Sequence, residues 1–166
     1  MPFDRFELDL LNDAWEQMRE ESVQQRLSAV EELRNTRSNN EAWFEWELYY
    51  RLLKVGRGWK REKRNRKGKN RRYGDGVDLQ FANNRFIELR AVTTEKTNMA
   101  WVVDGLLQHK EADACLFLAL YHKNLTKWLD RYKVSESRFH YRNLDFEIET
   151  KHINQNWIVG IVKRLK

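Results

Sequence analysis

Two predicted strands carry charged residues at alternating positions. Asp78 lies between apolar neighbours in the first strand, and Glu88 and Arg90 do so in the second. Because successive side chains on a strand point to opposite faces, Glu88 and Arg90 share one face. The turn residues 82–84 predict that the two strands pair as a hairpin. If the register places Asp78 on the same face, two carboxylates and a guanidinium converge in the middle of a sheet.

Two neighbouring carboxylates repel each other when both are ionised. A divalent cation that prefers oxygen ligands, such as Mg²⁺ or Mn²⁺, relieves that repulsion. Such an ion can polarise a phosphate and activate a water molecule for in-line attack. The same pattern is also typical of an edge strand on which Glu88 and Arg90 form a surface ion pair, and the two carboxylates alone favour this simpler interpretation.

A helix predicted over residues 41–55 adds a third carboxylate. At about 100° per residue, apolar residues cover most of its circumference, and Glu45 lies inside this apolar arc. A carboxylate on a packing face is costly unless a cation meets it. Glu41 also lies in the arc, but in the first turn, where the helix dipole favours an acid. Glu47 and Arg51 lie in the polar gap, where an i,i+4 ion pair is expected.

Together these residues resemble the PD-(D/E)xK nuclease superfamily. In that superfamily a helix with an acidic residue precedes a hairpin that carries Asp on one strand and Glu-x-Lys on the next, and another helix and strand follow. Glu45 matches the helix acid, Asp78 the strand aspartate and Glu88-Leu89-Arg90 the triplet. Residues 45–58 look most like the opening of archaeal Holliday-junction resolvases. The resemblance covers residues 41–121.

The resemblance implies an α/β, restriction-endonuclease-like core, in which a central mixed β-sheet is flanked by helices. It also implies metal-dependent hydrolysis of phosphodiester bonds. Asp78, Glu88 and the Leu89 carbonyl are then the expected ligands of Mg²⁺ or Mn²⁺, and Glu45 binds the ion directly or through water. Arg90 is expected to orient either the scissile phosphate or the attacking water.

Arg90 departs from the superfamily, which has lysine at this position. Arginine stays protonated and cannot act as a base, although it can hold a phosphate oxygen and stabilise developing charge. A lysine from elsewhere is one alternative, either Lys110 on the apolar face of a helix predicted over residues 98–110 or Lys96 just after the second strand. The other is a catalytically impaired or inactive nuclease-fold protein that binds nucleic acid.

The positive charge of the chain is concentrated in one segment. The net charge is +6, but the segment 57–72 alone carries +9 and the remaining residues −3. Clustered basic side chains bind polyanions in a salt-dependent, sequence-independent way. The segment therefore predicts a nucleic-acid-binding loop at the mouth of the site, with DNA favoured over RNA. A solvated or nuclear-localisation-like stretch is the alternative. The predicted binding residues are Lys60, Arg61, Lys63, Arg64, Arg66, Lys67, Lys69, Arg71 and Arg72.

Composition limits the remaining classes. With 166 residues, 41% hydrophobic and 13% aromatic, the chain is not broadly disordered. The single cysteine, Cys115, excludes an internal disulfide framework and a cysteine-rich zinc site. The longest apolar run, 114–121, is too short to cross a membrane, and the acidic N-terminus is not typical of a secretory signal. We therefore expect a cytoplasmic protein without membrane contact.

The predicted elements form one compact unit, with an N-terminal helical extension over residues 1–38 and a nuclease-like α/β domain over 39–166. An RNA-binding accessory factor of unrelated fold stays open, and it is distinguished by lacking the order helix, strand, strand, helix, strand. Symmetric duplex substrates favour a homodimer. The tryptophans at 43, 46 and 101 are assigned to packing or to an oligomer interface, and the four histidines to no special role.

The other predicted elements are a helical region over 4–35 that breaks near Glu21-Ser22 with Ser22 as N-cap, a buried strand over 114–121, a helix over 125–132 and strands over 138–141, 145–149 and 157–162.

Overall fold

The computed structural model describes residues 3–32, 40–55, 79–81, 85–94 and 98–166, apart from the side chains of residues 40–42, 45, 79 and 80. Asp78, Lys96, the turn 82–84 and the basic segment 57–72 lie outside these described residues, as does the side chain of Glu45. The predictions made for them therefore stay predictions.

The described residues form helices and strands in the order expected for the middle of the chain. The helices are α1 (Arg5–Met18), α2 (Glu21–Glu32), α3 (Asn40–Val55), α4 (Met99–Gln108) and α5 (Lys123–Tyr132). The strands are β1 (Leu79–Phe81), β2 (Arg85–Val92), β3 (Ala114–Leu120), β4 (Lys133–Ser135), β5 (Arg138–Tyr141), β6 (Leu144–His152) and β7 (Trp157–Arg164). The succession α3, β1, β2, α4, β3 matches the predicted helix, strand, strand, helix, strand.

These strands form a seven-stranded sheet in the order β1-β2-β3-β7-β6-β5-β4. Strands β2 and β3 pair in parallel through the α4 crossover, and the other described pairs are antiparallel. The chain is therefore an α/β protein with a mixed sheet flanked by helices, which confirms this part of the fold prediction.

The sheet separates two layers of helices. Residues of α1, α2 and α3 share one core with Leu116 and Leu118 of β3, whereas α4 and α5 share the other core with Cys115 and Phe117. Because consecutive residues of β3 face different cores, every residue of this strand is buried. The continuous apolar run in the sequence follows from that double burial.

The first helix begins with a reciprocal cap. The Glu7 backbone N–H donates to Asp4 Oδ1 at 2.9 Å, and the Asp4 N–H donates to Glu7 Oε2 at 2.9 Å. The predicted break near Glu21-Ser22 is confirmed, because α1 ends at Met18 and α2 begins at Glu21, with the Glu20 carbonyl accepting the first bonds of α2. Ser22 therefore lies inside the helix rather than at its N-cap, and its hydroxyl accepts a bond from Arg51 at 2.6 Å.

The end of α4 and the presence of strand β4 also differ from the predictions. Helix α4 ends at Gln108 rather than Lys110, because His109 at its C-cap leaves helical geometry with ψ at 84°. Lys110 is consequently exposed and does not extend the apolar face of α4, so the placement that suggested it as a relocated lysine was wrong. Strand β4 was missed because it is three residues long and exposed throughout, so no alternation of buried side chains marks it.

Within the described residues, no helix is both long enough and apolar enough to cross a membrane.

Candidate functional site

Glu88 and Arg90 lie on the same face of β2, as the alternation predicted. The interpretation as an exposed surface pair was wrong, because Glu88 is 3% exposed and Arg90 is 7% exposed. Both side chains lie beneath α4, the helix that crosses this face of the sheet. The apolar residues on either side of them, including Leu89, face the opposite core.

The two side chains form the centre of a buried charged cluster. Arg90 Nη2 lies 3.3 Å from Glu88 Oε1, and His109 Nε2 lies 3.6 Å from the same oxygen. The Arg90 guanidinium carbon stands 4.2 Å from the ring centre of Trp101, which is a cation–π distance. Arg90 Nη2 also makes a long contact of 3.5 Å with Gln108 Oε1. Helix α4 and its C-cap thus enclose the Glu88–Arg90 pair with an aromatic ring, an amide and an imidazole.

Gly105 allows α4 to come this close to the pair. A Cβ atom at this position lies only 2.6 Å from Arg90 Nε and 3.2 Å from Glu88 Cγ. Trp101, Gly105 and His109 recur every four residues, so they share the side of α4 that faces the pair. The role of Gly105 and His109 was not predicted from the sequence. The available signal was a glycine inside a helical pattern, because a residue that weakens the helix can have a packing reason.

Among the described residues, the carboxylate of Glu88 is met by the guanidinium of Arg90. A buried carboxylate is costly when it has no cation, and Arg90 supplies one at ion-pair distance. The guanidinium cannot accept a proton, so it cannot serve as a general base. Its described contacts with Trp101 and Gln108 join β2 to α4. The part of the site seen here is therefore an enclosed ion pair rather than an open array of acids.

The described cluster contains one buried carboxylate that could bind a metal ion, that of Glu88. Glu88 supplies the oxygen donors that Mg²⁺ and Mn²⁺ prefer, and position 89 follows it on the same strand. Among the described residues no group of three or more His, Cys, Asp or Glu side chains is arranged to hold a metal. The expected partners in coordination, Asp78 and the Glu45 side chain, belong to the part that is not described.

The helix that carries Glu45 lies on the other side of the sheet from Glu88. Phe44, Leu48 and Leu52 of α3 are fully buried in the core that Leu89 faces. The ion pair predicted in the polar gap of α3 is confirmed, because Arg51 Nε lies 3.1 Å from Glu47 Oε1.

The broad apolar arc predicted for α3 is buried over a narrower strip than expected. Trp46 is 76% exposed and Tyr50 is 53% exposed, so neither side chain packs inside the chain. Of the two roles assigned to Trp46, packing within the chain is not observed among the described residues, and the oligomer interface stays a prediction. The described side chains that α3 buries completely are Phe44, Leu48 and Leu52.

A second charged cluster fixes α1 to strands β2 and β7 of the sheet. Glu7 is fully buried, and its carboxylate accepts bonds from Arg85 at 2.7 Å and from Lys163 at 2.8 and 3.0 Å. Arg85 also donates to Asp4 at 2.5 Å. Burial acts to raise the pKa of Asp4, but the hydrogen bonds from the Glu7 backbone and from Arg85 outweigh it and hold that pKa below its ordinary value. This cluster joins α1, β2 and β7.

A separate groove of about 440 Å³ lies between α5 and strands β4 to β6. Its lining includes Asp130, Lys133, Glu149 and His152, and it shares no residue with the Glu88–Arg90 cluster. Acidic and basic side chains both line it, so its charge does not favour one class of ligand.

Comparisons of this chain with protein-family models, with curated proteins and with solved structures gave no match.

Proposed function

We propose that this protein is a metal-dependent nuclease that hydrolyses phosphodiester bonds, with DNA as the favoured nucleic acid. The observation that carries the proposal is the Glu88–Arg90 pair on one face of β2, within the order α3, β1, β2, α4, β3. This is the arrangement implied by the resemblance to the PD-(D/E)xK superfamily. The proposal includes the restriction-endonuclease-like core as the finer description of the α/β fold.

The strand register supports the proposed pairing of carboxylates. Leu79 of β1 pairs with Ile87 of β2 in an antiparallel register. If the pairing continues by one residue, Asp78 lies opposite Glu88, and directly opposite residues share a face. Asp78, Glu88 and the Leu89 carbonyl are the proposed metal ligands. Glu45 is proposed as a direct or water-mediated ligand that reaches them around the border of the sheet, since α3 packs on the face opposite Glu88. A bound Mg²⁺ or Mn²⁺ supplies charge stabilisation at the phosphate and an activated water.

The basic segment supports a polyanionic substrate. Residues 57–72 carry a charge of +9 and stand between α3 and β1, the elements proposed to supply Glu45 and Asp78. Neutralising phosphates with such a segment releases counterions and gives affinity without sequence preference. The substrate is therefore proposed to be held mainly through its backbone.

A second candidate function is supported by the contacts of Arg90. This residue is 7% exposed, pairs with Glu88 at 3.3 Å and lies against the Trp101 ring. An arginine engaged in this way stabilises the fold and replaces the lysine of the superfamily. The second candidate is accordingly a nucleic-acid-binding protein of nuclease fold with impaired or absent cleavage.

A cleavage assay with matched variants tests the first candidate. Wild-type protein is incubated with branched, duplex and single-stranded DNA and with RNA, with Mg²⁺, Mn²⁺ or a chelator. We expect metal-dependent cleavage that falls at least about 100-fold in Asp78→Ala and Glu88→Gln, because each removes a proposed ligand. Glu149→Gln changes an exposed carboxylate on β6 in the same way and serves as the control.

The outcomes separate the candidates. Cleavage that persists in Asp78→Ala and Glu88→Gln overturns the site assignment. Salt-sensitive binding without cleavage, together with calorimetry that detects no Mn²⁺ binding, supports the second candidate. Thermal unfolding of each variant shows whether a loss of cleavage reflects the site or the fold, since Glu88 is the partner of a buried arginine.

A further inference from the structure

The outer face of α3 presents a continuous apolar stripe. Trp46 is 76% exposed, Tyr50 is 53% exposed and Leu53 is 47% exposed, and the half-buried Trp43 extends the stripe towards the start of the helix. Lys54 Nζ lies 4.3 Å from the ring centre of Tyr50 and borders the stripe on one side.

The spacing of these residues is that of a helix-packing seam. Positions 43, 46, 50 and 53 follow one another at intervals of three, four and three, the a and d pattern of a heptad repeat. The opposite strip of α3, through Phe44, Leu48 and Leu52, is already buried in the core. A helix that is apolar on two sides is normally covered on both, because a surface helix needs only one apolar face.

The area of the stripe fits the centre of a small dimer interface. A whole aromatic side chain has an area of about 150–250 Å². With the exposed fractions of Trp46, Tyr50 and Leu53, the accessible area of the stripe is roughly 350 Å² per copy. Two copies and the flanking residues then bury on the order of 1,000 Å², which lies at the lower end of specific interfaces. An interface of this size gives a weak dimer rather than a permanent one.

We infer that this stripe of α3 binds the same stripe of a second copy of the chain, with the two helices antiparallel. A two-fold axis makes the surface self-complementary, so Trp46 of one copy packs near the partner subunit's Leu53. The antiparallel orientation is favoured by charge. The +9 segment begins two residues after α3 ends, and a parallel pair brings both segments to the same end of the interface.

The mass of the full chain in solution tests the inference. Sedimentation of the wild type is followed up to about 200 μM, a range suited to a dimer with a dissociation constant on the order of 10 μM. We expect the mass to rise from 20.2 kDa towards twice that value. Trp46→Glu places a charge in the seam and is expected to stay monomeric. Val134→Glu makes the same kind of change at a residue that is 68% exposed on β4, and it should follow the wild type.

Cysteine cross-linking tests the orientation. Trp46→Cys mixed with Leu53→Cys is expected to give a disulfide-linked dimer under mild oxidation, whereas each variant alone gives little. Efficient cross-linking of each variant with itself overturns the antiparallel arrangement. Cys115 is buried and is present in every sample.

Two results overturn the interface itself. One is a wild type that stays monomeric throughout the range. The other is a Trp46→Glu variant that dimerises to the same extent as the wild type. In each case the far-UV spectrum must show that the protein is folded. If the wild type is monomeric and Trp46→Ala weakens binding of a single-stranded oligonucleotide, the stripe is a base-stacking surface instead. The measurement needs neither metal nor nucleic acid, so it stands or fails separately from the proposed nuclease function.

Discussion

Gly105 packs closely against the side chain of Arg90, and this contact requires that position 105 has no Cβ atom. The glycine leaves room for the guanidinium, and the guanidinium compensates the buried charge of Glu88. Helix propensity alone favours alanine over glycine by about 1 kcal/mol. Crowding of an added Cβ atom against Arg90 opposes that preference. The substitution Gly105→Ala therefore shows whether helix propensity or this crowding has the larger effect on stability.

Gly105→Ala is expected to lower the free energy of unfolding by about 1–2 kcal/mol, because the added Cβ lies 2.6 Å from Arg90 Nε. Urea denaturation measures the change. The same substitution in an Arg90→Ala background is the control, and there the loss should shrink because the crowded atom is absent. A gain in stability from Gly105→Ala in the wild-type background contradicts the close approach.

Asp4 gives the protein a small pH-dependent stability. Because its pKa in the folded chain lies below the ordinary value of 3.8, its contribution is present above that pH and is lost as the pH falls through the lowered pKa. Asp4→Asn keeps a capping side chain but removes the charge. We expect the wild type to be more stable by at most about 1 kcal/mol near pH 6, since Asp4 is partly exposed. Chemical denaturation between pH 6 and about pH 2.5 should show this difference vanish, and a constant difference argues against it.

The candidate site could be predicted from the sequence only in part. Alternation on a strand placed Glu88 and Arg90 on one face, because that geometry is local. Their burial could not be predicted, since it depends on how closely α4 approaches, and that distance is set by Gly105 from a different element. The contact of His109 with Glu88 likewise arises from the end of α4, where spacing in the sequence gives no ligand pattern.

At the scale of elements, the ion pairs of Glu7 attach α1 to the sheet. Glu7 is fully buried and bonds to Arg85 of β2 and Lys163 of β7. These bonds join residues far apart in the sequence, so α1 is held by the sheet as well as by its own capping box.

Glu7→Gln is expected to lower the free energy of unfolding by about 3 kcal/mol, because it leaves two cations beside an uncharged group. Hydrogen exchange should rise most in α1, which this residue anchors. Asp9→Asn is the matched control, since its partner Arg5 is 94% exposed and the pair spans 3.6 Å. The control should change stability by less than about 0.5 kcal/mol. Equal losses in both variants contradict a special role for Glu7.

Most elements could be predicted because their patterns are local. The apolar run of β3 and the alternation of β2 each depend on neighbouring residues. Element ends were less predictable, as at Gln108 and Ser22, because caps compete over one or two residues. The exposed side of α3 was misjudged because an apolar arc shows which residues avoid water but not which neighbour covers them.

At the scale of the whole molecule, charge is divided between a basic segment and a slightly acidic remainder. The residues 57–72 carry +9 and the rest of the chain −3. Binding to a polyanion should therefore depend on this segment and weaken strongly with salt.

Replacing Lys60, Arg61, Lys63 and Arg64 by glutamine is expected to weaken binding to duplex DNA and to reduce the slope of log K against log salt, because fewer counterions are released. Fluorescence anisotropy over a salt series measures both quantities. Replacement of Lys123, Lys127, Arg131 and Lys133 removes the same charge from α5 and β4 and is the control. A variant of the basic segment that keeps the wild-type slope contradicts its role.

Strand β7 joins two parts of the sheet that are otherwise not paired with each other. It stands at the centre, between β3 and β6, although it follows both in the chain. Without Trp157–Arg164, the set β1 to β3 and the set β4 to β6 would share no described strand pairing. A chain in which β7 has not yet docked therefore leaves the inner edges of β3 and β6 unpaired, and unpaired strand edges favour aggregation.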